Sequence, residues 1–229
     1  YDGDDPDGFM GKNEVVARIE RYAQLIQAPV RLGVEVCKVE LGGEDRFLVH
    51  ATSHLIAAHN IICAVGPYQT PRVPPLSSAL PPRIVQITAN RYSNPGQLPA
   101  GGVLVVGTGA SGGQIAEDLL DSGRDVYVSV GAHGRIPRRY RGRDIQDWLN
   151  PMGPRFQPED GPPPRAPLIT GVRGGYDVDL RDFETRGAVL LGRLETADGE
   201  RLRFADDLAA RIAAGNDYLA TYGLDGEEN

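Results

Sequence analysis

Lysine, cysteine and long apolar runs are what this sequence has least of. Lys12 and Lys38 are the only lysines, so the remaining 22 bases are arginines. That bias says little by itself; where the arginines cluster says more. Cys37 and Cys63 are the only cysteines and lie far apart, outside any CxxC pair. Their scarcity excludes a disulfide scaffold and a cysteine-built zinc site, and it fits a reduced, cytoplasmic protein. No apolar run approaches the roughly 20 residues that span a bilayer, and no signal-peptide pattern opens the chain. With 31 acids against 24 bases the net charge is −7, which disfavours nucleic acid or an anionic membrane as the main partner. What is present, 229 residues at 41% hydrophobic and 24% charged, suits one large globular domain or two small ones with a sizeable core.

Residues 1–8 are an acidic, turn-rich lead-in without an initiator Met. From Glu14 the apolar residues Val15, Val16, Ile19, Tyr22, Ala23 and Ile26 recur at helical spacing, and Pro29 ends the run. Val30, Leu32, Val34 and Val36 then alternate as in a half-buried strand, and Gly42-Gly43 turns the chain towards a returning strand at 47–49. Residues 61–66 are continuously apolar and closed by glycine, the pattern of a fully buried strand. Residues 67–102 are rich in proline and glycine and read as a linker, so the domains are expected to be 1–79 and 80–229.

Beyond the linker, Val103-Leu104-Val105-Val106 predicts a short buried strand, and 126–130 predicts another after an intervening helix to about Leu120. Between strand and helix stands Gly107-Thr108-Gly109-Ala110-Ser111-Gly112, a GxGxxG in the strand–turn–helix–strand frame of a dinucleotide site. Its first glycine permits the tight turn, its second lets a pyrophosphate approach the backbone, and its third lets the helix pack against the strand. The helix N-terminus then offers free N–H groups to phosphate. These six residues, with Gln114 beyond them, are candidate cofactor contacts. The fold class is therefore α/β with a Rossmann-type domain, preceded by an antiparallel meander.

The second strand ends in Val130-Gly131-Ala132-His133, without the carboxylate that usually bonds an NAD ribose. Arg135, Arg138, Arg139, Arg141 and Arg143 follow, a basic island in an acidic chain. Arginine grips a phosphate through paired hydrogen bonds, so the island points to NADPH, with Arg135 as first choice and Arg138 and Arg139 as further candidates. The plainer reading is that most of these arginines pair with Asp144, Asp147 and other acids. Downstream, a short helix is expected near 144–149. Segments 189–194 and 201–204 flank an Asp198-Gly199 turn, and a last amphipathic helix carries Leu208, Ile212 and Leu219 with Asp206 as N-cap.

With these motifs in order, the chain resembles the flavin-containing monooxygenase-like flavoproteins, which carry FAD and NADPH on two dinucleotide-binding domains. Asp7-Gly8-Phe9-Met10-Gly11 and the following helix are similar to a segment of that family's FAD domain. Ile62-Cys63-Ala64-Val65-Gly66-Pro67-Tyr68-Gln69-Thr70-Pro71 is similar to its ATG-type linker, which makes Ala64, Gly66, Pro67 and Gln69 candidate cofactor contacts. Tyr92-Ser93-Asn94-Pro95 resembles the approach to its NADPH domain, and residues 138–144 resemble a stretch of bacterial members. The chain departs from the family where Pro82, Ile84 and Thr88 stand in place of the Phe, Gly and His of the FxGxxxH signature. Val65 replaces the usual linker threonine, and only one GxGxxG is present. The resemblance implies an NADPH- and FAD-dependent oxidoreductase that oxidises or oxygenates a small-molecule substrate, with no catalytic side chain identified. The motif order implies the middle of a longer protein whose further FAD-domain segments lie elsewhere. Two other readings stay open: an NADP(H)-binding piece without flavin turnover, and a single-cofactor dehydrogenase, for which no Tyr-x-x-x-Lys pair is found.

Other residue groups favour plain explanations. His50, His54 and His59 do not share a helix face and lack a completing ligand, so no metal is expected. Ser111 does not sit in a GxSxG elbow. Cys63 reads as a small core residue. Trp148, Tyr140 and Phe156 lie near the arginines and read as packing residues, with stacking on adenine or flavin as the alternative.

Overall fold

The protein is described by a computed structural model covering residues 8–43, 46–66, 70–152, 168–199 and 201–218. Two compact units make up the chain. One is Met10–Gln69, and the other joins Thr70–Asn229 to Tyr1–Phe9.

The Met10–Gln69 unit opens with α1 (Lys12–Leu25), whose first turn is closed by the Gly11 N–H donating to Glu14 Oε2 at 2.8 Å. The expected meander follows as β1 (Val36–Leu41), β2 (Phe47–Ala51) and β3 (His54–Ala58), antiparallel in that order. Val39 faces Val49, which in turn faces Ile56. The first strand begins six residues later than the alternation from Val30 suggests. Gly33 takes a left-handed φ of 71° there and bends the chain before pairing can start. A larger difference concerns residues 61–66. They form no strand, Ile62 and Val65 are 91% and 68% exposed, and Cys63 is exposed rather than buried. A continuous apolar run becomes a buried strand only between two strands that pair with it, and the described residues of this unit provide none.

The second unit is an α/β fold of the Rossmann type. β4 (Val103–Val106) leads through the glycine turn into α2 (Ala110–Asp121) and back to β5 (Val126–Ser129). A small hairpin of β6 (Arg139–Tyr140) and β7 (Arg143–Asp144) precedes α3 (Ile145–Met152). A second hairpin pairs β8 (Ile169–Thr170) with β9 (Tyr176–Asp177), and α4 (Leu180–Thr185) carries the chain to β10 (Val189–Leu191). β11 (Leu194–Asp198) and β12 (Arg201–Phe204) then form an antiparallel hairpin, and α5 (Leu208–Asn216) follows. The region expected as one hairpin around Asp198-Gly199 is thus split. Val189–Leu191 leaves it to pair in parallel with β5, because Leu190 finds cover in the core there.

The central sheet has the order β10-β5-β4, all parallel, with Val105 opposite Val128 and Leu190 opposite Val128 from the other side. Its core gathers Val105, Ala116, Leu119, Val126, Val128, Leu180, Phe183 and Leu190. Ala116 and Leu119 come from α2, and Leu180 and Phe183 come from α4. Fully burying such side chains contributes about 1.5–3 kcal/mol each for the larger ones. Ser129, at the end of β5, donates to the Gly192 carbonyl at 3.0 Å and accepts from the Leu194 N–H at 2.9 Å, locking β10 and the start of β11 to the sheet. Asp207, rather than Asp206, precedes α5. Its carboxylate accepts from the Arg193 N–H and from Arg211, which holds its pKa below the ordinary aspartate value.

No helix among the described residues is long and apolar enough to cross a membrane.

Candidate dinucleotide site

The turn between β4 and α2 is built by what its glycines leave out. Gly107 has a φ of 99°, a conformation that residues with a Cβ rarely adopt. A Cβ on Gly112 would collide with the Gly107 carbonyl oxygen, so only glycine lets α2 start this close to β4. A Cβ on Gly109 would meet nothing within 4 Å, although its φ of −72° would suit any residue. That glycine is not demanded by the protein's own packing. Its open side is the approach that a pyrophosphate needs to reach the backbone.

Gly109 caps α2, and among the described residues no side chain satisfies the first N–H groups of the helix. The N–H groups of Ala110, Ser111 and Gly112 are therefore the orphan donors of a 12-residue helix, at the positive end of its dipole. Ser111 is exposed beside them. Thr108 is 1% exposed, and its Oγ accepts from the Gly131 N–H at 3.1 Å, tying the turn to the residues just past β5. Gln114 lies one turn into α2 and donates to the Ile169 carbonyl at 3.1 Å, so it fastens the β8–β9 hairpin to the helix. An apolar pocket of about 250 Å³ opens alongside, lined by Ile87, Tyr92, Val106, Gly109 and Ile115 among others. The orphan N–H groups and the open side of Gly109 fit the phosphates of a dinucleotide.

Arg135, Arg138 and Arg143 of the basic island each pair with an acid. Arg135 Nε donates to Asp177 Oδ2 at 3.1 Å, and Asp179 Oδ2 lies 3.3 Å from its NH2 group. Arg138 pairs with Asp144 at 2.8 Å and lies over the Phe9 ring, 4.1 Å from its centroid. Arg139 reaches the same ring at 5.6 Å. Arg143 pairs with Asp147 at 3.6 Å and stacks on Trp148, and Arg141 lies over Tyr140. Trp148 donates from its ring nitrogen to the Tyr140 carbonyl and meets the Tyr140 ring edge-on. With Ile136 and Ile145 these rings make a small second core, so Tyr140 and Trp148 serve packing. Phe156 lies outside the described residues.

Behind the turn, α2 carries a polar network. Tyr176 donates to Glu117, which also faces Arg186 at 3.7 Å, and Arg186 and Arg173 both reach Asp121. Burial, then Glu117, pushes the Tyr176 phenol up to about 12. Tyr92 donates to Asp118 at 2.7 Å and is raised as well, again first by burial.

In the other unit, Ala64 and Gly66 lie in the exposed, irregular segment after β3, and Gly66 has a φ of 74°. Pro67 and Gln69 lie outside the described residues. His50 bonds Glu40 at 2.7 Å, and His54 bonds the Ser53 hydroxyl at 2.6 Å. Lys38 and then His50 hold the Glu40 carboxyl below its usual range. Among the described residues no group of three or more His, Cys, Asp or Glu could hold a metal ion.

Sequence reading brought the fingerprint and the island forward but missed Asp177 and Asp179, 42 and 44 residues from Arg135. Nothing in local spacing signals a partner so distant. It also missed Phe9 as the surface on which Arg138 and Arg139 rest.

Comparison with known proteins matches residues 7–155 to the family described as pyridine nucleotide-disulphide oxidoreductase. An uncharacterized oxidoreductase, CzcO-like, of Geobacillus kaustophilus is 38% identical over 151 residues, 65% of this chain and 42% of that protein. A CzcO oxidoreductase of Bacillus subtilis, likewise uncharacterized, is 39% identical over 146 residues, 64% of this chain and 42% of its own length. The chain thus spans less than half the length of these curated relatives. Among solved structures, a flavin monooxygenase of Stenotrophomonas maltophilia superposes with a TM-score of 0.62 at 19% identity, covering 89% of this chain and 55% of that one. A bacillithiol disulfide reductase of Bacillus cereus superposes with a TM-score of 0.53 at 18% identity, covering 90% and 55%. At such identities the likeness is one of fold.

Proposed function

The chain belongs to the pyridine nucleotide-disulphide oxidoreductase family, and from that premise we propose that it is the NADPH-binding part, with a portion of the FAD-binding fold, of a flavin-dependent, monooxygenase-like oxidoreductase. The observation that carries this reading is the Gly107–Gly112 turn, where glycine at position 109 serves no internal contact and leaves the helix N-terminus open. When bound, the two coenzymes supply the hydride and redox chemistry by which a small molecule is oxidised or oxygenated. The chain's own residues do the holding. The N–H groups of Ala110, Ser111 and Gly112 are aimed at a pyrophosphate, and Thr108 fixes the turn against Gly131, beside the place where the ribose of a dinucleotide is read. Arg135, Arg138 and Arg139 stand beyond that point as the cationic candidates for a 2′-phosphate, the first two of them already paired with acids.

The flavin side of the proposal rests on the linker, with Ala64, Gly66, Pro67 and Gln69 as its contacts. No second glycine turn at a helix N-terminus following a strand lies among the described residues of Met10–Gln69. None of those residues is buried, which favours further segments of the FAD fold as the cover for this unit. The same observation favours, for the 229 residues taken alone, an NADP(H)-binding module without flavin turnover. Two exposed, unpaired cysteines suit a reducing cytoplasm.

The test is a titration of the chain with NADPH, NADH and FAD, run on Gly109→Ala and Gly112→Ala as well. Gly109→Ala is expected to weaken NADPH binding at least tenfold with an unchanged melting temperature, because its methyl enters open space. Gly112→Ala is expected to lose both binding and about 1–3 kcal/mol of stability, because its methyl strikes Gly107. NADPH binding that survives Gly109→Ala would remove the nucleotide from this turn. The full-length protein is expected to purify yellow, and a colourless one would end the flavoprotein reading.

A further inference from the structure

On the dinucleotide reading Arg135 is the first arginine offered to a 2′-phosphate, yet its charge is already offset. It follows the end of β5 by six residues, and its backbone is fixed by its N–H donating to the Gly215 carbonyl at 3.0 Å. Two carboxylates from a different part of the chain converge on its guanidinium, Asp177 at 3.1 Å and Asp179 at 3.3 Å. Asp177 ends β9, and Asp179 caps α4 by accepting from the Arg181 N–H at 2.9 Å. All three side chains are partly exposed, at 31%, 23% and 30%, so an incoming anion can reach the group. One guanidinium against two carboxylates leaves the trio with a net charge of −1. A phosphate approaching Arg135 meets repulsion from both acids and finds the Nε side of the fork and one of its terminal nitrogens already engaged.

We propose that Asp177 and Asp179 set the coenzyme selectivity of this site by offsetting the charge that Arg135 offers to the 2′-phosphate. The proposal rests on the dinucleotide reading above and deepens it. NADH, which lacks the phosphate, needs no rearrangement of the trio. NADPH must bring its phosphate up to a guanidinium whose charge two nearby carboxylates already offset. The acids thereby cap the preference for NADPH that five clustered arginines would otherwise give.

The test measures NADPH and NADH affinities of the 229-residue chain by calorimetry at fixed ionic strength, for the wild type and for Asp177→Asn with Asp179→Asn. Asparagine is chosen because it still caps α4. The double variant is expected to raise the ratio of NADPH to NADH affinity on the order of tenfold, the effect of removing nearby like charge in a partly exposed site. Adding Arg135→Gln is expected to cancel that gain. Asp177→Asn alone, which touches no helix cap, carries the test if the double variant melts early. An unchanged ratio with both coenzymes still bound overturns the proposal and leaves the dinucleotide site standing. A gain that persists without Arg135 overturns it too. A wild-type chain that binds neither coenzyme removes the nucleotide reading itself, and the proposal with it.

Discussion

Met10–Gln69 and Thr70–Asn229 are made of similar pieces, an apolar-periodic helix and short β-strands, and they use them to opposite effect. In the first unit α1 repeats Val15, Val16, Ile19 and Tyr22 at helical spacing and buries none of them. In the second, α2 repeats its apolar residues at the same spacing and brings Ala116 and Leu119 to complete burial. Periodicity sets which face of a helix is apolar; a second layer decides whether that face is covered. The parallel β4–α2–β5 unit supplies its own second layer, because each crossover lays a helix back on the sheet. A three-stranded antiparallel meander has no such obligation, and among the described residues its apolar groups stay in contact with water.

The largest expected consequence is a contrast in local stability. Amides of β4, β5 and β10 should exchange with solvent on the order of 10³-fold more slowly than those of β1, β2 and β3 in native-state hydrogen exchange. Equal protection in the two sheets would break the comparison.

Next in size is a pair of truncations. Phe183→Ala, at 1% exposure in the core, should cost about 3–5 kcal/mol in denaturant unfolding of the second unit. Ile19→Ala, at 63% exposure, should stay within about 0.5 kcal/mol. A large loss at Ile19 would mean that α1 is covered in solution.

The smallest effect concerns the polar network on α2. The Tyr176 phenol is raised in the fold from 10 to about 12, first by burial and then by Glu117. A pKa raised on folding gives stability that is present below the unfolded value and lost as pH rises towards the folded one. The second unit should therefore weaken between about pH 10 and 12, and Tyr176→Phe should flatten that slope while costing about 1 kcal/mol at neutral pH. Thermal melts across that range measure both, and an unchanged slope would take Tyr176 out of the alkaline response.

Legibility in the sequence followed the range of the interactions. The fingerprint was readable because all its constraints are local: a φ of 99° at Gly107, a clash at Gly112 and a free helix end lie within six residues. The strands 103–106 and 126–129 were readable because short runs of four and three apolar residues, bounded by turns, leave few alternatives. Residues 61–66 carried the same signature and formed no strand, since the signature describes a need for cover without naming its source. By spacing alone Val189–Leu191 joins the hairpin beside it, and only its parallel pairing with β5 separates it.

The arginine island divides the two kinds of knowledge most clearly. Its existence, its place after the second strand and its contrast with an acidic chain were fixed by the order of residues alone. Which charges remained available was settled by the tertiary structure, which brought Asp177 and Asp179 to Arg135, Asp144 to Arg138 and Phe9 beneath both Arg138 and Arg139. The same holds for the composition of the chain. Scarce cysteine, scarce lysine and a net charge of −7 bounded the chemistry, but Coulomb interactions fall with distance through space and not with separation along the chain. A sequence can count charges; the fold decides which of them meet.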